Sequence, residues 1–303
     1  MALERQSRGA FWATVLPPTL WIVLFFLVPL AIVWGYSFGK NDGLTGVAIT
    51  GTFDNYVRAF NPTILQIFVK SILVAGLTTL LCLIIGFPVA LAIVFASEKA
   101  RPMMLMLVML PFWTNLLIRT YALIAVLRTE GFANWTLEWL WNQGSWLATL
   151  VGMQPFSEFQ PLPLLYNNFA VIVGLVYVHL PFMVLPLYAA LDRLDKSLME
   201  ASLDLGAGHL RTIFSIVAPL AMPGIISGVI ITFVPALGAY LTPALLGGPD
   251  SQMIANVIER QFKQANDWPF GAALSFLLMY ATFALIAIRA YMTRGHQAGG
   301  HGI

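Results

Sequence analysis

The 303-residue chain is short of almost everything a soluble enzyme uses. Only 10% of its residues are charged, and 16 Lys and Arg nearly balance 14 Asp and Glu. A net charge of +2 with no basic stripe excludes a surface that tracks nucleic-acid phosphates. The one cysteine, Cys82, can form neither an internal disulfide nor a CxxC metal or redox pair, and reads as a small core or lipid-facing residue. No Gly-x4-Gly-Lys-Ser/Thr loop, His-Glu-x2-His pair or Gly-x-Ser-x-Gly elbow occurs, so nucleotide binding by that loop, zinc hydrolysis and serine hydrolysis lack their motifs. His209, His296 and His301 stand in polar regions without partners at ligand spacing. The expectation is a chain with no catalytic residue, no bound cofactor and no metal.

Apolar residues fill the space. They make up 59% of the chain, and the mean hydropathy is +0.80, which leaves too little polar surface for a soluble globule of this size. The reading is an all-α membrane protein with six transmembrane helices in one domain. The spans fall at about 16–38, 69–96, 103–126, 170–191, 216–237 and 270–291, each long enough to cross roughly 30 Å of hydrocarbon. The first, preceded by Arg5 and Arg8, is read as an uncleaved span that starts at Pro17 and Pro18 and bends at Pro29. Residues 39–68 and 238–269 are polar loops, 97–102 is a tight charged turn, and the Gly/His tail at 292–303 is expected to lack order.

Hydropathy misleads between residues 127 and 169. Glu130, Glu138, Asn142 and Gln143 would lie at span depth, at a cost of roughly 2.5 to 3.5 kcal/mol for the central acid alone. Trp135, Trp139, Trp141 and Trp146 suit a belt at the water interface, so the segment is read as an interfacial loop, with room for short helices lying on the membrane. A cytoplasmic N-terminus would place Arg5, Arg8, Lys99, Arg101, Arg193 and Lys196 inside, as the positive-inside rule prefers. Both termini are then cytoplasmic.

Residues 197–219, SLMEASLDLGAGHLRTIFSIVAP, interrupt these spans between the fourth and the fifth. Ser197 and Glu200 have capping-box spacing, so a helix should start there, and Gly206 should end it. Leu198, Ala201, Ser202 and Leu205 fall at i, i+3, i+4 and i+7 and form a small apolar face; Glu200 and Asp204 lie one turn apart on a more acidic side. This is a short cytoplasmic helix with a shallow face open to docking.

Polar groups at membrane depth need a reason for burial. Asn115 and Arg119 are i, i+4 in the third span, with Trp113, Thr114 and Tyr121 close by. Two readings stand for this face. In one it lines a translocation path, with aromatic and polar groups holding a cation or amine. In the other Arg119 snorkels to the outer end and Asn115 ties helices together. His179, beside Pro181, reads first as a helix-to-helix hydrogen bond and second as a path residue.

Glu200, Ala201 and Ser202, then Gly206, Ile216 and Pro219 at their spacings, resemble the Glu-Ala-Ala…Gly…Ile-x-Leu-Pro loop of permease subunits of bacterial binding-protein-dependent ABC importers. Ser202 and Ala218 stand where that family usually has Ala and Leu. LPFWTNLLIRTYA (110–122), the stretch 175–207, AMPGIISG (221–228), LLGGPDSQMIANVI (245–258) and DWPFGAA (267–273) are similar to the spermidine/putrescine permease subunits of that class. The resemblance implies the type I importer permease fold in the bacterial inner membrane. It also implies a heterodimer with a second homologous permease, two ATPase subunits that use ATP and Mg, and a periplasmic substrate-binding protein. It makes 192–215 a coupling loop in which Ser197, Leu198, Glu200, Ala201, Ser202, Asp204, Leu205 and Gly206 meet the ATPase. It makes Trp113, Asn115, Arg119, Tyr121 and Tyr240 candidates for the substrate path.

Polyamine permeases tend to carry acidic residues after the fifth span, and residues 238–244 here have none. An opine, an amino-acid-like compound or an aminophosphonate therefore remains an alternative cargo. A proton- or sodium-driven secondary transporter is the rival mechanism. It would need ionisable groups near mid-membrane, and apart from Arg119 and His179 the spans offer almost none.

Overall fold

A computed structural model describes residues 8–43, 46–152, 154 and 156–297. Nearly all regular structure among them is helical, with one short hairpin. Four helices have the length and apolarity to cross a membrane: Trp12–Tyr36, Pro62–Phe95, Asn168–Leu191 and Trp268–Ala287. Two bent pairs raise the number to six if each pair counts as one span. The chain divides into two units, Met1–Leu65 with Val257–Ile303, and Gln66–Asn256.

In the first unit α1 (Arg8–Ile22) passes through a wide turn at Val23–Leu27 into α2 (Val28–Tyr36). The Val28 amide reaches back to the Val23 carbonyl, one residue farther than in an α-helix. Pro29 follows and has no amide to give, so the ladder widens where the sequence expects a bend. The expected polar loop then contains an antiparallel pair, β1 (Gly39–Asn41) and β2 (Val47–Ile49), and a short helix, α3 (Asp54–Ala59). Arg58 of α3 pairs with Asp267 at 3.0 Å and lies 4.1 Å from the centre of the Phe270 ring. Trp34 Nε1 donates to the Tyr280 hydroxyl at 2.9 Å.

The helix α4 (Pro62–Phe95), all but its first four residues in the second unit, runs for 34 residues and begins two turns before the expected second span. Asn61 starts it by accepting the Thr63 amide at 3.0 Å, and Pro62 fits the first turn because its missing amide would have had no partner there. Next come α5 (Ala100–Met109), a tight turn at Leu110–Trp113, α6 (Leu116–Leu127) and α7 (Phe132–Leu150). The helix α8 (Asn168–Leu191) leads to α9 (Lys196–Asp204), α10 (His209–Thr212), a wide turn at Ile213–Val217, α11 (Ala218–Leu220) and α12 (Met222–Leu237). Then follow α13 (Leu241–Leu246), α14 (Ile254–Lys263) and, in the first unit, α15 (Trp268–Gln297). The first half of the expected disordered tail is therefore helical to Gln297, and the rest lies outside the described residues.

The core of the second unit is built where α4, α8 and α12 meet around Met183. A Cβ on Gly224 would stand 2.8 Å from the Pro186 carbonyl, and one on Gly228 2.7 Å from Met183 Sδ. These two glycines, one turn apart, let the helix backbones close up, which is how helices pack where lipid removes the hydrophobic drive between them. Cys82 is buried in this cluster, the first of its two sequence readings.

Within the tryptophan-rich segment residues 132–150 form a 19-residue helix, α7, longer than the short helices the sequence left room for. Asn134 is buried and clamps it to the returning chain, donating to Leu162 O at 2.9 Å and accepting the Leu162 amide at 2.9 Å. Trp141 Nε1 donates to Ser157 O at 2.9 Å, and all four of Trp135, Trp139, Trp141 and Trp146 are exposed.

Candidate functional site

The polar interruption forms α9, and its boundaries follow from its caps. The start differs from expectation. Asp195, not Ser197, is the N-cap: its backbone is extended and its Oδ1 accepts the Ser197 amide at 3.0 Å. A carboxylate accepts that amide better than a hydroxyl, so the helix begins two residues early. Glu200 is then too far along to close a capping box. The Ser197 backbone amide, helped by the Ser197 hydroxyl, holds the Asp195 carboxyl below the usual carboxylate range. The cap is thus ionised throughout the neutral range.

The end is as expected, with its geometry now visible. Gly206 has φ +84°, its amide donates to Leu203 O at 2.9 Å, and the Ala207 amide donates to Ser202 O at 3.1 Å. This pair of bonds is a Schellman stop, which needs a left-handed residue that glycine adopts without a Cβ penalty.

The face of α9 divides. Leu198, Ala201 and Leu205 are exposed, Leu205 at 88%, and so are Ser197, Glu200 and Asp204. Ser202 points the other way: it is buried and its hydroxyl bonds the Thr212 hydroxyl at 2.9 Å. Sequence spacing puts Ser202 on the outward face; the return of the chain through α10 supplies a polar partner on the inward side. Thr212, absent from the expected site, is the residue that does this, and the sequence held no local signal for it.

Past α10 the chain repeats the device seen before Pro29. The Ala218 amide reaches back to Ile213 O, and Pro219 follows. The expected fifth span then breaks at Ala221, where His209–Leu220 and Met222–Leu237 meet at 72°. Pro223 has no amide to donate to Pro219 O, so the ladder cannot carry through.

The expected third span is broken too, and this changes the reading of its polar residues. Thr114 and Asn115 are both extended, and Ala100–Trp113 meets the following helical stretch at 95°. Asn115 is the N-cap of α6, with Oδ1 accepting the Leu117 amide at 2.8 Å. Arg119 is only 7% exposed and folds back onto the break, donating to the Pro111 carbonyl and, at 3.1 Å, to the Thr114 carbonyl. A guanidinium there adds donors to carbonyls at the end of the broken helix, where Pro111 O already takes the Thr114 hydroxyl at 2.7 Å, and its charge suits a helix C-terminus. The snorkelling alternative does not describe this geometry. Arg119 also lies 5.7 Å from the centre of the Tyr177 ring.

The structure thus brings Asn115, Thr114 and Arg119 together at one break. Trp113 at 75% and Tyr121 at 58% are exposed on either side of it, and Tyr240 sits at the N-cap of α13, its carbonyl accepting from Asn256 Nδ2 at 2.7 Å. His179 bonds its own helix: Nδ1 lies 2.8 Å from the Leu175 carbonyl one turn back. No group of three His, Cys, Asp or Glu placed to hold a metal occurs among the described residues.

Four span-length apolar helices, two sharply bent apolar helix pairs and one exposed, capped polar helix define a polytopic membrane protein. The chain belongs to the family described as binding-protein-dependent transport system inner membrane components, whose pattern matches residues 2–292. It is 41% identical over 258 residues to the spermidine/putrescine transport system permease protein PotB of Escherichia coli K12, covering 85% of this chain and 88% of that one. The Haemophilus influenzae protein of the same name is 39% identical over 268 residues, 88% of each chain. An inner membrane ABC transporter permease protein, YdcU of Escherichia coli K12, is 32% identical over 289 residues, covering 90% of this chain and 88% of that one. Among solved structures, a chain of a bacterial ABC transporter involved in import of the acidic polysaccharide alginate superposes with TM-score 0.69 over 94% of this chain and 95% of that one. At 17% identity that likeness shows the fold alone.

Proposed function

We propose that this chain is a membrane-spanning subunit of an ATP-driven importer of polyamines such as spermidine and putrescine. The observation that carries the reading is the 41% identity to a spermidine/putrescine permease across 85% of the chain. The two bent pairs each count as one span, giving six, with both termini in the cytoplasm. In this arrangement α9 is the coupling helix, which partner ATPases grip through Leu198, Ala201 and Leu205, and ATP and Mg belong to those partners. A second homologous permease completes the path, and a periplasmic binding protein delivers the cargo. The alginate transporter structure that includes its substrate-bound periplasmic protein is consistent with such a delivery. The acid-free stretch 238–244 left other cargo open; the relatives' names argue for polyamines.

The test is a ligand screen on the cognate binding protein. Spermidine or putrescine should raise its melting temperature, and the assembled transporter should accumulate the same compound in vesicles only with ATP. Failure of every polyamine, with stabilisation by an opine or aminophosphonate, would replace the cargo; uptake driven by a proton or sodium gradient alone would overturn the importer itself.

A further inference from the structure

Beside the start of α9, three helix ends are tied by one side chain. The carbonyl of Val94 is among the last four of α4 and has no donor within its own helix. Arg101, at the start of α5, donates to it through Nη2 at 2.9 Å. Through Nη1 the same guanidinium donates to Asp192 Oδ1 at 2.9 Å. Asp192 is the C-cap residue of α8. A carboxylate at a helix C-terminus meets the negative end of the dipole, so its place there depends on a neighbouring cation. The guanidinium serves both ends because its donors form a rigid fork, which a lysine ammonium does not have. The turn that aims it is itself held, with the amides of Ala100 and Arg101 donating to Ser97 O at 2.9 and 3.0 Å.

Little else binds α9 to these helices. Met199 rests on the core cluster, and Ser202 bonds Thr212. Elsewhere an open groove of about 470 Å³, with Leu91 and Phe95 of α4 on one side and Leu203 and Ile213 on the other, separates them. Asp192 stands three residues before the Asp195 cap of α9. A push on α9 that met no clamp would be absorbed by rotation in that short connection.

We infer that Arg101 is a positioning residue for coupling: by joining the ends of α4 and α8 next to the root of α9, it makes a displacement of α9 move both helices together. The inference rests on the proposed role of α9. Arg101 and Asp192 keep side-chain exposures of 27% and 38%, so their ion pair adds little to stability; Arg101→Ala also strips the donor from the Val94 carbonyl, so Asp192→Ala, which leaves that bond in place, is the milder break of the tie.

The experiment uses the whole transporter in proteoliposomes, with labelled spermidine uptake and ATP hydrolysis measured on the same vesicles. In Arg101→Ala and Asp192→Ala, spermidine carried per ATP should fall about fivefold or more while the partner chains still copurify and ATP is still hydrolysed. The double variant should be no worse than Arg101→Ala alone, because Asp192 acts only through the guanidinium that this variant removes. Arg101→Lys should fall between, keeping the charge but losing the fork. An unchanged ratio in both single variants, or deficits that multiply in the double, overturns the inference. Loss of the ATPase from the purified variants also overturns it, since the residue would then serve assembly. Wild-type uptake that needs no ATP would sink the coupling reading and the clamp with it.

Discussion

Arg119 shows how one residue changes meaning with its surroundings. In sequence it is a cation at membrane depth beside aromatic residues; in the fold its donors are spent on the carbonyls of a broken helix. A charge whose donors are occupied in this way organises the break more than it greets a cationic cargo. Arg119→Met should take the guanidinium from the Thr114 carbonyl and leave the Pro111 carbonyl only its bonds from Thr114, at a cost of about 1 to 2 kcal/mol, read as a lower unfolding temperature of the solubilised chain. Arg119→Lys should recover part of that loss, since it keeps the charge without the fork. Equal melting of wild type and Arg119→Met would return the residue to the path. Ser202 teaches the same lesson in smaller form, for a hydroxyl that sequence spacing sends outward is buried against Thr212.

At the scale of elements, α9 is held by its ends. Asp195 opens it, the Schellman bonds at Gly206 close it, and its apolar outward face stays bare. Gly206 sits at φ +84° with no atom within 4 Å of an added Cβ, so a substitution there strains the backbone without a clash. Gly206→Val should therefore insert and assemble, cost about 1 to 2 kcal/mol locally, and uncouple ATP hydrolysis from uptake by tilting α9. Undiminished uptake per ATP in vesicles would remove α9 from the coupling role. The wide turns ahead of Pro29 and Pro219 show a second device, in which a missing amide is accommodated by widening the ladder rather than by ending it. At Ala221, where Pro219 and Pro223 lie one turn apart, widening no longer suffices and the helix bends by 72°.

For the whole molecule, the proposed six spans and cytoplasmic N-terminus would put Gly51 and Gly208 on opposite sides of the membrane. Alkaline phosphatase fused after Gly51 should be active and fused after Gly208 inactive; the reverse pattern would invert the topology and place α9 out of reach of an ATPase. The long apolar helices were legible because a run of apolar residues is a local property, and the end of α9 was legible because Gly206 acts on its own turn. Family membership was legible for the same reason, through residues at fixed spacing. The helical form of 132–150 was not, because Asn134 holds it through a backbone 28 residues away. Nor were the break at Thr114, stabilised by Arg119 from the next turn, the inward aim of Ser202, or the Arg101 clamp on Asp192, 91 residues distant. By itself, then, the sequence determined which segments are apolar enough for the membrane and where one polar helix interrupts them. Only the tertiary structure decided where spans break and which polar groups are spent on one another, because a hydrogen bond needs its partner in space and that partner is set by the packing of other helices.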